Sequence, residues 1–220
     1  MITLVVLGKY KDIFSSFRES AEKYLGNIPK ILVRDGHDIP DPPGWIVIQG
    51  PQKFGMARNA NLGLRAAPHD VLYCGDDIQF TQPDTLKILC ELAYRDPDIG
   101  ILSPRIRGGA NNLLQRQPPD RDISYAARNV CFPCVYLKRA VFHAIGYLDE
   151  RFVEYGYDDD LFCRKAVKAG FKLAVTPRVT VIHESMSTFT RNHGGDVWPV
   201  WEQMERNRQL YEQACRELGL

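Results

Sequence analysis

The chain has 220 residues, 45% of them hydrophobic and 25% charged, and a formal net charge of +1. That composition is enough for one sizeable core, and the near-neutral charge gives no electrostatic case for nucleic acid or an anionic membrane surface. No apolar run approaches the ~20 residues that cross a bilayer, so no spanning helix is expected, while peripheral association stays open. The cysteines Cys74, Cys90, Cys131, Cys134, Cys163 and Cys215 include one CxxC, which has no second Cys or His pair at zinc spacing. They read as free thiols in a reducing, cytoplasmic compartment.

From the N-terminus, residues 2–7 are expected as a buried strand, not a signal peptide, because no basic segment precedes the apolar run. Residues 12–25 bring Ile13, Phe14, Phe17, Ala21, Tyr24 and Leu25 to one helical face. Ile31-Leu32-Val33 is a second strand that stops at Arg34-Asp35. Trp45 to Ile48 is a third, beyond a proline-rich linker that can be neither helix nor central strand. A helix over 56–66 follows, with Arg58, Asn59 and Asn61 in its first turns, where a helix N-terminus can face an anion. Apolar strands with polar ends, alternating with helices, predict a doubly wound α/β sheet.

The stretch 70–80 is the most informative. Val71 to Cys74 is a short buried run that ends in Gly75-Asp76-Asp77. Ligands of open α/β sheets bind outside the carboxyl ends of the strands. Two adjacent carboxylates there repel unless a cation intervenes, and a divalent ion carrying a phosphate is the simplest choice. A solvated turn would look the same, so the pair gains meaning only from the rest of the chain. Thr81 is expected to N-cap a helix that buries Leu86, Leu89, Cys90 and Ala93. Residues 99–102 return as a strand, and 103–122 are expected as a long irregular loop. A strand over 130–137 and a helix over 139–145 follow.

Asp158-Asp159-Asp160 then opens a helix with Phe162, Cys163, Ala166 and Val167 on its buried face and Gly170 after its end. Carboxylates suit a helix N-terminus. Three in a row exceed what capping uses, and their repulsion raises proton affinity, a property of a general base. Residues 172–175 and 179–182 are expected as two strands around Pro177. The second ends at His183, which can face the same crevice as Asp77. Residues 185–196 read as a loop able to close over a ligand, and 197–218 as a helix packing through Val200, Met204, Tyr211, Cys215 and Leu218.

In this order the segments resemble glycosyltransferase family 2, of the GT-A fold, including its rhamnosyltransferase-like members. Asp35 looks like the family's base-reading acid, and Gly55 to Gly63 with Arg58-Asn59 like its Gly…Ala-Arg-Asn…Gly helix. Gly75-Asp76-Asp77 occupies the DXD position, and Lys138-Arg139 with Gly146 to Phe152 is similar to the Arg-Arg…GxxDExF segment. Asp158 to Arg164 sits where the Glu-Asp…Arg motif lies, and His183 matches the histidine that closes the metal site.

The resemblance implies an α/β GT-A fold: a Rossmann-like central mixed sheet flanked by helices, as one domain over 1–220. Residues 1–103 would be the nucleotide-sugar half and 104–220 the acceptor-binding and catalytic half. The implied activity is inverting transfer of a hexosyl group from a nucleotide diphosphate sugar, most often a UDP-sugar, to a hydroxyl. The acceptor would be a glycan, free, lipid-linked or protein-linked. Mn2+ or Mg2+ would be held by Asp77 and His183. Asp158 or Asp159 would be the base, and Asp35, Lys53, Arg58 and Asp76 would contact the donor.

Two positions depart from the family pattern: Gly75 replaces the first Asp of DXD, and Tyr157 the Glu of Glu-Asp. A sugar-phosphate nucleotidyltransferase would need a glycine-rich phosphate loop, for which Gly8-Lys9-Tyr10 is a poor match. A non-catalytic nucleotide-sugar or glycan-binding module is the other alternative, favoured by Gly75 and opposed by the aspartate cluster.

Overall fold

The computed structural model describes residues 1–35, 39–51, 55–109, 112–184, 191, 194 and 198–220. Strands β1 (Ile2–Gly8), β2 (Lys30–Arg34), β3 (Ile46–Gln49) and β4 (Asp70–Gly75) lie side by side in the order β3-β2-β1-β4, all parallel. Their side chains alternate between two apolar layers. Leu4, Val6, Leu32 and Leu72 meet Phe14, Phe17 and Ala21 of helix α1 (Lys11–Tyr24) on one face. Val5, Ile31, Val33 and Val71 meet Ala57, Ala60 and Leu64 of α2 (Met56–Ala66) on the other. Gly63 sets how closely α2 lies, since an added Cβ would fall 2.5 Å from Val5 Cγ1 and 2.8 Å from Val33 Cγ2.

Beyond β4 the sheet becomes mixed, as expected from the resemblance, so the doubly wound pattern holds for β1 to β4 and not for the whole sheet. After β5 (Ile78–Phe80) and helix α3 (Thr85–Arg95) come β6 (Ile99–Gly108), α4 (Leu113–Arg116), β7 (Ser124–Ala126) and β8 (Cys134–Leu137). Helices α5 (Arg139–Ile145) and α6 (Asp158–Lys168), strand β9 (Lys172–His183) and helix α7 (Trp198–Leu218) complete the described elements. The order continues β4-β8-β6-β9-β5, with β7 also on β9. Strand β8 is antiparallel to both β4 and β6, and β9 is parallel to β6. Strands β1, β2, β4, β6 and β9 therefore all end at one edge of the sheet, and β8 begins there.

Several boundaries differ from the sequence reading. Strand β6 runs to Gly108, into the expected loop, because its pairing with β9 continues to Gly108↔His183 past a register shift at Pro104. The two strands expected around Pro177 are one strand, which takes up the same irregularity. Thr81 caps nothing. Its hydroxyl donates to the Thr180 carbonyl at 2.7 Å, residues 78–80 pair with β9, and α3 starts at Thr85 with Asp84 before it. Val167 and Leu218, expected inside, are exposed.

The edge opposite the strand ends carries its own polar network. Asp70 accepts 2.7 Å hydrogen bonds from the Tyr94 and Tyr136 hydroxyls and one of 2.8 Å from the Arg139 N–H. The Arg139 guanidinium donates to the Leu64 and Ala67 carbonyls, both at 2.9 Å, capping the end of α2. All six cysteines are free thiols. Among the described residues no helix is long and apolar enough to cross a membrane.

Candidate active site

A cavity of about 630 Å³ opens at the edge where the strands end. Asp35 follows β2, Asp76 and Asp77 follow β4, His183 ends β9, and Asp158 and Asp159 start α6; all six line this cavity. Parallel strands bring the first four together, and the N-terminus of α6 brings the last two. Lys53 and the expected closing loop lie outside the described residues, except for Arg191 and Gly194. Arg191 pairs with both carboxyl oxygens of Asp12 at 2.7 and 2.9 Å, next to the start of α1.

Asp77 and His183 form the first group. The imidazole Nε2 lies 3.3 Å from Asp77 Oδ2, and Nδ1 bonds the Gly109 carbonyl. A carbonyl only accepts, so Nδ1 carries a hydrogen and a neutral ring presents its Nε2 lone pair to a carboxylate. That arrangement needs a positive species, either a proton or a metal ion. Burial lowers the proton affinity of His183, but the hydrogen bond and charge of Asp77, with the Gly109 carbonyl, outweigh it and leave the value raised. A histidine anchored through one nitrogen with the other beside a carboxylate is the donor set of a metal ligand pair. Among the described residues no three His, Cys, Asp or Glu side chains converge as a metal cluster. Two protein donors would leave most of a cation's shell to other oxygen ligands.

Gly75 acquires a reason here. A Cβ at this position would fall 2.8 Å from Asp77 Oδ1, so the missing side chain gives the Asp77 carboxylate its place. Asp76 is buried and accepts from the Lys9 N–H at 3.1 Å. Asp35 accepts from the Asn59 amide at 2.8 Å, and Asn59 is fully buried. Among the described residues Met56 is the α2 residue that lines the cavity, and Asn59, rather than Arg58, acts on it through Asp35. Arg58 is exposed and outside the lining; behind Asn61 and Arg65, it helps hold the Glu150 carboxyl low. Asn61 ties α2 to Leu148 through both its amide groups.

The second group is the start of α6. Burial raises the Asp158 carboxyl to about 6, with the charge of Asp160 adding to it and helix-terminal N–H groups opposing. Asp159 is raised well above the ordinary range, by burial first and then by Asp158 and Asp160. Asp159 accepts from the Phe132 N–H at 3.1 Å, and Asp160 from the Asn129 amide. The Asp158 carboxyl is engaged by backbone N–H groups at the helix start, and among the described residues no side chain hydrogen-bonds it. Tyr73 and Tyr155 line the cavity between the two groups. Burial raises both phenols, Tyr155 to about 12, and Asp158, Asp159 and Asp77 add to each. Sequence reading passed over Lys9, Tyr73 and Tyr155. Tyr73 had one available signal, a polar tip within an otherwise apolar strand aimed at the acidic pair.

No protein-family model matches the chain, and no curated protein matches it in sequence. Solved structures do match in shape. GalNAc-T7 with UDP, GalNAc and Mn2+ superposes with a TM-score of 0.69 at 13% identity, covering 83% of this chain and 43% of that one. S. aureus TarS superposes with a TM-score of 0.63 at 15% identity, covering 86% and 38%. Residues 1–349 of S. aureus TarS, in complex with UDP, superpose with the same TM-score at 16% identity, covering 86% and 62%. This chain therefore spans less than two thirds of each of them. At such identities the likeness is one of architecture: the chain has the GT-A fold, a central mixed sheet flanked by helices.

Proposed function

We propose that the chain is an inverting glycosyltransferase of the family 2, rhamnosyltransferase-like type, moving a sugar from a nucleotide diphosphate sugar to an acceptor hydroxyl. One observation carries the reading: two acidic groups from distant parts of the chain, Asp77 with His183 and Asp158 with Asp159, line one cavity. Displacement at an anomeric carbon needs both kinds of site, one where the leaving group gains charge and one where the acceptor loses its proton. The solved structures with UDP, in one case also with Mn2+, share the fold and make a UDP-sugar the first donor to test.

Asp77 and His183 would hold the divalent cation, Mn2+ or Mg2+, which when bound neutralises charge on the diphosphate. Asp35, aligned by Asn59, accepts a hydrogen bond from a nucleobase N–H, and Asp76 faces the ribose or the sugar. Asp158 takes the proton of the acceptor hydroxyl as its oxygen bonds to the anomeric carbon and the bond to the diphosphate breaks. Attack opposite the leaving group inverts that carbon. Asp159, held by the Phe132 N–H, shares the charge of the site. Residues 1–103 serve the donor and 104–220 the acceptor, a glycan that is free, lipid-linked or protein-linked.

The test is calorimetric binding of UDP, dTDP and GDP with and without Mn2+, on the parent and Asp77→Ala. Metal-dependent binding of one diphosphate, lost in the variant, is the expected result. A folded protein that binds none of the three overturns the reading. A protein that binds one but releases no diphosphate from its sugar conjugate is a binding module.

A further inference from the structure

The turn before α6 holds a conformation that its residues do not favour on their own. Glu154, Gly156 and Tyr157 have φ of +59°, +98° and +71°, in the left-handed region that side-chain-bearing residues rarely adopt. Glu154 to Asp160 line the cavity, so the path of this turn fixes where the Asp158 carboxyl points. Its support comes from α7, more than 40 residues later in the chain. The buried Asn207 amide nitrogen shares its two hydrogens among the carbonyls of Val153, Tyr155 and Gly156, at 3.0, 3.0 and 3.1 Å. Three carbonyls can only accept, and Gln203 Nε2 donates to Asn207 Oδ1 at 3.0 Å, so the orientation of the amide is determined from both sides. The Tyr211 ring, one helical turn on, packs 5.5 Å from that of Tyr157.

We propose that Asn207 is a positioning residue of the transfer reaction: its amide holds the 153–157 turn in its unfavourable conformation and so aims Asp158 at the acceptor hydroxyl. The role rests on the glycosyltransferase reading. Asn207 itself touches no substrate, because it is buried behind the turn and does not line the cavity. A side chain that only stabilised the fold would affect donor binding and turnover alike. A positioning residue affects turnover alone, because the donor contacts sit on β2, β4 and β9.

Three quantities test it on Asn207→Ala: amide hydrogen exchange across 154–160, UDP affinity with Mn2+, and UDP release from UDP-glucose, UDP-galactose and their N-acetyl forms. The expected result is faster exchange confined to the turn and turnover lower by roughly 10- to 100-fold, with UDP affinity within about twofold of the parent. Gly156→Ala is the second variant. It strains the same turn at φ +98°, while its Cβ would meet only the flexible Met204 side chain, Cγ at 3.5 Å and Cε at 3.9 Å, so it should fold and show the same separation. Unchanged exchange in the turn, unchanged turnover, or UDP affinity falling in step with turnover overturns the proposal. A parent that releases no diphosphate from sugar conjugates of UDP, dTDP or GDP overturns the transferase reading and the catalytic role with it, and the exchange result still decides whether Asn207 holds the turn.

Discussion

Burial raises the Asp158 carboxyl to about 6, against an ordinary 3.8, so ionising it is less favourable in the folded chain than in the unfolded one. The native state then binds the proton more tightly. The cost of ionisation is absent below about pH 4 and complete above about pH 6, and stability falls as pH rises through that window. Asp158→Asn should raise the stability measured by denaturant at pH 8 by on the order of 1–3 kcal/mol and leave it nearly unchanged at pH 4. The same variant should lower transfer by roughly 10²- to 10⁴-fold, and the parent's turnover should rise through about pH 6. His183 gives the opposite dependence in ligand binding. In the proposed metal site, its raised value means that protons would compete with the ion on the Nε2 side. Mn2+-dependent diphosphate affinity should therefore weaken between pH 8 and pH 6; a flat profile would remove His183 from the metal site.

At the scale of elements, two glycines set distances that matter to the site. Gly75→Ala would push on the Asp77 carboxylate, so metal-dependent affinity should fall while the thermal unfolding midpoint stays close to the parent's. Gly63→Ala would force α2 away from β1 and β2, costing about 1–3 kcal/mol by overpacking. Because α2 carries Asn59, diphosphate affinity should fall as well, since Asp35 loses its aligned partner. Helix α7 shows where local reading stops. Its apolar periodicity was legible, but the buried stripe also contains Gln203 and Asn207, which a hydrophobic pattern assigns to solvent. Thr81 failed for a similar reason, since a residue able to cap a helix was engaged instead by Thr180, 99 positions away.

Across the whole molecule, the cavity collects, among the described residues, seven carboxyl groups, Asp35, Asp76, Asp77, Glu154, Asp158, Asp159 and Asp160, against the cations Lys9 and Arg116. A diphosphate entering such a cleft meets like charge unless a cation accompanies it. Removing divalent ions with a chelator should therefore reduce diphosphate affinity by about tenfold or more, and restoring Mn2+ should recover it. The strands β1 to β4, the buried face of α1, the extent of α2 and the acids at the strand ends were all legible in the sequence, while the buried Asn59 and Asn61 of α2 were not. Each depends on periodicity or punctuation within about ten residues, and burial enforces that pattern locally. What only the tertiary structure decided is which of those ends meet. The insertion of β8 between β4 and β6, the parallel run of β9 beside β6 and the reach of Asn207 to the 153–157 turn join residues far apart in the chain. Pairing of that kind is chosen by the combined burial of the whole sheet, and no short window of sequence contains it.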